Sequence, residues 1–96
     1  MRLTENEAGL IRLTVAECFG DGSRVRLFGS RADDAARGGD VDLYIQPIAR
    51  DRLYARRIRC LARLTERLPY PVDVVLASPE DERPIDRVAT STGVEL

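Results

Sequence analysis

Apolar residues recur at helical spacing in two stretches of the chain. Near the N-terminus, Thr4 and Glu7 form an S/T-x-x-E capping box, which predicts that a helix begins there and runs to Gly20. Its apolar positions are Ile11, Val15, Cys18 and Phe19. Residues 50–68 form the longest helical pattern, with an apolar side that we predict to consist of Leu53, Ile58, Leu61, Leu64 and Leu68. Ser78 and Pro79 resemble a helix start and predict a short helix to about Val88.

Three shorter runs alternate or are rich in β-branched residues, and they predict strands at 24–28, 41–45 and 72–76. Between the first two, Ala32 to Ala36 is long enough for a turn or so of helix. The resulting order αβ(α)βαβα predicts an α/β (α+β) fold, in which helices pack on a small sheet. The pattern leaves the strand directions open.

Length and charge narrow the possible functions. A chain of 96 residues predicts a single domain over residues 1–96. Its net charge of −1 argues against general nucleic-acid binding, because such domains usually carry a basic surplus. We find no apolar run near the roughly 20 residues that span a bilayer, and no signal-peptide hydrophobic region at the start. We therefore expect a cytoplasmic protein that does not bind membranes.

Several chemistries are excluded by missing residue types. All 15 basic residues are Arg and the chain has no His, so a P-loop Lys and a Ser-His-Asp arrangement are both absent. Cys18 and Cys60 alone are too few for a zinc site. Both lie in apolar helical patterns, and we expect two reduced thiols in or near the core.

Three acidic residues interrupt the apolar strands. Asp40 and Asp42 share one face if the second strand extends back to Asp40, because residues i and i+2 of a strand point the same way. Asp73 lies between valines in the third strand and would join them if the two strands are neighbours. Such carboxylates repel one another unless a proton or a cation neutralises them, and hard oxygen ligands suit Mg²⁺. Three of them can hold two Mg²⁺ ions.

A Gly-Ser pair follows the first strand. Gly29 lets the backbone turn close to a ligand, and N–H groups around Ser30 would attract phosphate at the start of a short helix. Arg31 adds a positive charge. Together with the acids, this arrangement is typical of a nucleoside triphosphate site.

Gly29-Ser30, nine further residues, Asp40-x-Asp42 and the later Asp73 resemble the pattern of the minimal nucleotidyltransferases in the DNA polymerase β-like superfamily. The resemblance implies a small mixed sheet of three to four strands with the polymerase β-like nucleotidyltransferase core. It implies that Gly29, Ser30 and Arg31 bind the nucleotide phosphates and that the three acids are catalytic and bind two Mg²⁺ ions. Many relatives have a second Arg where this chain has Asp33.

The resemblance also implies a partner. Small members of this family pair with a HEPN-domain toxin, a helical ribonuclease, and transfer AMP from ATP to one of its tyrosine hydroxyls, so that they act as antitoxins. Only 20 residues follow Leu76, so we expect the partner to complete the nucleotide pocket in a hetero-oligomer. The alternatives are an antitoxin that neutralises its partner by binding alone, and nucleotidyl transfer to a small molecule.

Two further features have more than one interpretation. An arginine stripe on the long helix is either a solvated face or a surface for an acidic partner or nucleic acid: Arg52, Arg56, Arg59, Arg63 and Arg67. Tyr44 shares a face with Asp42 and is either a core residue or part of the pocket lining.

Overall fold

The computed structural model describes residues 3–29, 39–78 and 83–96, and in these ranges the chain forms three helices and four strands. Their order along the chain is α1 (Glu5–Phe19), β1 (Arg24–Phe28), β2 (Val41–Gln46), α2 (Leu53–Arg67), β3 (Val72–Leu76), α3 (Pro84–Thr92) and β4 (Val94–Glu95). The predicted α+β fold is therefore confirmed, with a fourth strand of two residues near the C-terminus.

The described strands form one mixed sheet in the order β3-β2-β1-β4. β1 is antiparallel to both β2 and β4, whereas β2 and β3 are parallel. This parallel pair requires a crossover connection, which α2 supplies. The sheet is mixed as expected, and the direction that the sequence pattern left open is now defined.

Two hydrophobic clusters lie on opposite faces of the sheet. The larger one packs α1 and α2 against inward-facing residues of the strands, including Val25, Leu27, Leu43 and Val74. The smaller one lies against α3 and contains Phe28, Tyr44, Ala77 and Ala89. Alternation along β1 and β2 directs successive side chains into the two clusters.

The first helix follows its sequence signals closely. The Thr4 hydroxyl accepts from the Glu7 N–H at 3.1 Å, and the Glu7 carboxylate accepts from the Thr4 N–H at 2.9 Å. The helix ends at Gly20, whose φ is 100°. All four predicted apolar positions are buried: Ile11, Val15, Cys18 and Phe19.

The apolar side predicted for the long helix is wrong at one position. Ile58 is 46% exposed, whereas Cys60 and Leu64 are fully buried. At about 100° per residue, Ile58 lies about 120° around the helix from Leu64, outside the buried stripe. The helix also begins three residues later than the pattern suggested, at Leu53.

The start of the last helix differs from the prediction as well. The described helix begins at Pro84, with Arg83 as its N-cap residue, and it continues past Val88 to Thr92. Proline is favoured at the first helical position, and Pro84 occupies this position in the described helix. Pro79 and the turn of helix predicted for 32–36 lie outside the described residues.

The arginine stripe contributes to packing between α1 and α2. Arg56 donates to the Cys18 carbonyl at 2.9 Å, and Arg67 donates to Glu17 at 2.7 Å. Arg63 also forms an ion pair with Glu17, at 3.0 Å. Three members of the stripe therefore bind the neighbouring helix, which neither interpretation of the sequence had included.

Both cysteines are free and buried, as predicted. Burial, and then the neighbouring Cys18, raise the pKa of the Cys60 thiol to about 12, so this thiol stays protonated. Within the described ranges we find no helix that is long and apolar enough to cross a membrane.

A buried carboxylate joins α3 to the sheet. Asp86 is 1% exposed and accepts hydrogen bonds from the Tyr44 hydroxyl at 2.6 Å and from the Arg83 guanidinium at 2.9 Å. It also accepts from the Ser78 N–H. Hydrogen bonds from Arg83 and then Tyr44 hold the pKa of Asp86 far below its usual value. Its charge therefore stabilises the fold at neutral pH, and this contribution is lost as the pH falls below about 4.

We expect Tyr44→Phe to lower the free energy of unfolding by about 1–3 kcal/mol, because it removes a hydrogen bond from a buried carboxylate. Tyr54→Phe is the matched control, since Tyr54 is 79% exposed and loses its hydroxyl from the surface. Urea unfolding of both variants at pH 7 measures the difference. Equal stabilities for the two variants would contradict a structural role for the Tyr44 hydroxyl.

Candidate functional site

One end of the sheet brings together the end of β1 and the beginnings of β2 and β3. Phe28, the last residue of β1, pairs with Asp42, and Asp42 in turn pairs with Asp73 across the parallel strands. Gly29 directly follows β1 and Asp40 directly precedes β2. The described residues of the predicted site therefore lie at one end of the sheet.

Asp42 and Asp73 lie side by side on the sheet. They are direct register partners in parallel strands, so their side chains leave the same face. Val74 next to Asp73 is buried against the opposite face, as predicted. Asp40 is exposed and lies one residue outside β2, so the extension of the strand assumed from the sequence does not occur.

Crowded negative charge marks Asp42. This carboxyl is partly buried, and burial is the main reason that its pKa is raised. The charges of Asp73 and then Asp40 raise the pKa further. Asp42 thus carries an electrostatic cost that either a proton or a cation would relieve.

Gly29 lies against this carboxylate. Its φ is +74°, a conformation that residues with a Cβ rarely adopt. A Cβ at position 29 would come within 2.5 Å of the Asp42 Oδ2 atom. Both the backbone angle and the close approach require glycine here, which gives a physical reason for the Gly at the end of β1.

Asp73 differs from Asp42 in its surroundings. Its side chain is 65% exposed, and its Oδ1 atom accepts a hydrogen bond from the Val74 N–H at 3.0 Å. The same atom lies 3.5 Å from the Arg57 guanidinium. Arg57 also donates to the Val74 carbonyl at 3.0 Å, so it is anchored to the edge of β3.

The donor set is suited to Mg²⁺, since all three side chains offer hard oxygen ligands. The partial burial of Asp42 next to its register partner Asp73 is the specific observation that favours a cation there. However, no group of three His, Cys, Asp or Glu side chains in ranges 3–29, 39–78 and 83–96 is arranged to hold a metal ion. Asp73, whose Oδ1 atom contacts Val74 and Arg57, would have to reorient in order to share a cation with Asp42.

The remaining predicted site residues have different outcomes. Ser30 and Arg31 lie outside the described residues, and their role in phosphate binding stays a prediction. Tyr44 is fully buried and bonded to Asp86, so it is a core residue rather than part of a pocket lining.

Sequence reasoning missed Arg57, which contacts the third acid. A signal was present, because Arg57 falls between Leu53 and Leu61 at helical spacing on the side of α2 that faces the core. A charged residue at such a position extends its long side chain to a polar partner. Here that partner is the edge of β3.

No protein-family model matches the chain, and no curated protein is significantly similar to it.

Proposed function

We propose that the protein is an Mg²⁺-dependent nucleotidyltransferase that transfers AMP from ATP to a tyrosine hydroxyl of a HEPN-domain toxin and thereby acts as its antitoxin. The observation that carries the proposal is the pairing of Asp42 with Asp73 at one end of the sheet. At the same end, the Gly29 turn packs on the Asp42 carboxylate. The sequence predicted the proximity of the two acids on the condition that the second and third strands are neighbours.

Each residue has a distinct part in the proposed reaction. Asp40 and Asp42 would hold Mg²⁺ at the nucleotide, and Asp73 would join them on the side of the attacking hydroxyl. Mg²⁺ would neutralise charge on the phosphates and lower the pKa of a bound hydroxyl. The open backbone at Gly29, with Ser30 and Arg31, would hold the outer phosphates.

The proposed transfer is a substitution at the α-phosphorus. The tyrosine oxygen forms a bond to the α-phosphorus, while the bond from that phosphorus to the oxygen bridging to the β-phosphate breaks. Pyrophosphate leaves with the bond electrons, and the hydroxyl proton passes to solvent. Asp73, the most exposed residue of the described strand β3, would accept a hydrogen bond from the hydroxyl after it leaves the Val74 N–H.

We expect the partner toxin to gain the mass of one or more AMP groups when it is incubated with this protein, ATP and Mg²⁺. The product of the neighbouring gene is tested as the toxin, and intact-mass spectrometry measures its gain. An ATP analogue with a methylene group between the α- and β-phosphates is the control, because its scissile bond is replaced. No mass gain with any of the four nucleoside triphosphates would count decisively against the proposal.

A further inference from the structure

β3 lies at one edge of the described part of the sheet, and the outward-facing backbone groups of Val74 are bonded to side chains. Two hydrogen bonds, from the Val41 N–H to the Pro71 carbonyl and from the Ala77 N–H to the Ile45 carbonyl, show that the backbone groups of residues 71 and 77 face β2. Alternation then directs the N–H and C=O groups of Val74 away from β2. These two groups would otherwise offer an open sheet edge to another strand.

Asp73 and Arg57 together satisfy both groups of Val74. The Asp73 carboxylate accepts from the N–H, and Arg57 donates to the carbonyl. The two side chains also face each other at 3.5 Å. The carboxylate that the proposed reaction requires at the metal is therefore engaged at the outer edge of the sheet in this structure.

We infer that Arg57 is a positioning residue that holds Asp73 against the Val74 N–H at the edge of β3, in competition with the divalent cation for this carboxylate. The inference rests on the proposed function, because it assumes that Asp73 is a metal ligand. It explains why the described acids share a face without forming a metal-holding group.

Arg57 is expected to compete only weakly with the cation for the Asp73 carboxylate. Arg57 and Asp73 are 34% and 65% exposed, and solvent-exposed ion pairs of this kind are weak. Removing the guanidinium should therefore tighten metal binding only about two- to five-fold. The effect is local, because it depends on one contact rather than on the net charge of the protein.

Metal binding is measured by titrating the protein with Mn²⁺ alone and following free Mn²⁺ by electron paramagnetic resonance. We expect Arg57→Gln to tighten Mn²⁺ binding about two- to five-fold. Arg59→Gln is the matched control, since Arg59 is an exposed residue of the same helix and its loss changes the net charge equally. Unchanged or weaker binding in Arg57→Gln, or equal tightening in both variants, overturns the inference.

A second measurement uses the wild-type protein and does not depend on a variant. Because Asp73 would leave the Val74 N–H when it binds a cation, we expect Mg²⁺ to accelerate hydrogen exchange at the Val74 amide. The Val75 amide, which faces β2, should exchange at an unchanged or lower rate. Slower or unchanged exchange at Val74 in saturating Mg²⁺ overturns the inference.

Asp42→Asn separates this inference from the proposed function on which it rests. If the wild type binds Mn²⁺ and Asp42→Asn does not, the metal site is present and the Arg57 variant alone decides the inference. If the wild type binds no Mn²⁺, even at millimolar concentration, both the inference and the metal site of the proposed function fail.

Discussion

Asp42→Asn is expected to lower the proposed AMP transfer by about 10²–10³-fold, because a metal ligand next to the reacting phosphate, the role proposed for Asp42, contributes several kcal/mol of charge stabilisation. Asp42 is the best-supported of the acids, since it contacts the Gly29 turn and pairs with Asp73. The rate is measured as the initial rate of AMP incorporation into the toxin at saturating ATP and Mg²⁺.

The same substitution should stabilise the fold at neutral pH. The raised pKa of Asp42 means that the folded state binds its proton more tightly than the unfolded state does, so the ionised carboxylate destabilises the fold. Asparagine removes this charge. The difference in melting temperature between variant and wild type should be largest near pH 7. It should shrink as the pH falls through the raised pKa of Asp42, because the folded wild type then takes up a proton and loses this charge.

Asp21→Asn is the matched control for this pair of effects. Asp21 is an exposed acid in the turn before β1, at the opposite end of that strand from Gly29, and its loss changes the net charge equally. We expect little change in either rate or stability. An Asp42→Asn variant that retains transfer would contradict the catalytic role. If transfer is lost but the toxin is still neutralised in cells, neutralisation by binding alone accounts for the antitoxin activity.

The parts of the fold that depend on local pattern could be predicted from the sequence. Alternation in the first strand and β-branched residues in the third predicted Arg24–Phe28 and Val72–Leu76 with the bounds that the structure has. The period of two also placed Asp73 opposite the buried Val74. These features follow from backbone geometry over a few residues and need no tertiary information.

The features that sequence reasoning missed depend on contacts between distant residues. The sequence left Tyr44 as either a core residue or part of the pocket lining. In the fold, α3 places Asp86, 42 positions away, within hydrogen-bond distance of the Tyr44 hydroxyl. Arg57 was overlooked because its partner, Val74, lies 17 positions further along the chain, in the strand that follows the helix. Periodicity describes which face a residue occupies, but the element packed on that face is determined by the tertiary fold.

Gly29→Ala is expected to lower the free energy of unfolding by about 1–2 kcal/mol through backbone strain alone, because φ at this position is +74°. The added Cβ would also lie within 2.5 Å of the Asp42 Oδ2 atom, so the carboxylate would have to shift. A displacement of about 1 Å in a reacting group can cost about 10²-fold in rate. We therefore expect loss of both stability and AMP transfer.

Substitutions at two other glycines distinguish the effect of backbone strain from the effect of displacing the Asp42 carboxylate. Gly22 has a φ of +90° but a Cβ there would make only ordinary contacts with Ile48, so Gly22→Ala should lose stability and keep its transfer rate. Gly39 precedes Asp40, and a Cβ there would meet nothing within 4 Å, so Gly39→Ala should change stability by less than about 0.5 kcal/mol. Chemical unfolding and initial transfer rates of the three variants test this order. Equal transfer rates in Gly29→Ala and Gly22→Ala would show that the contact between the Gly29 turn and Asp42 has no part in the reaction.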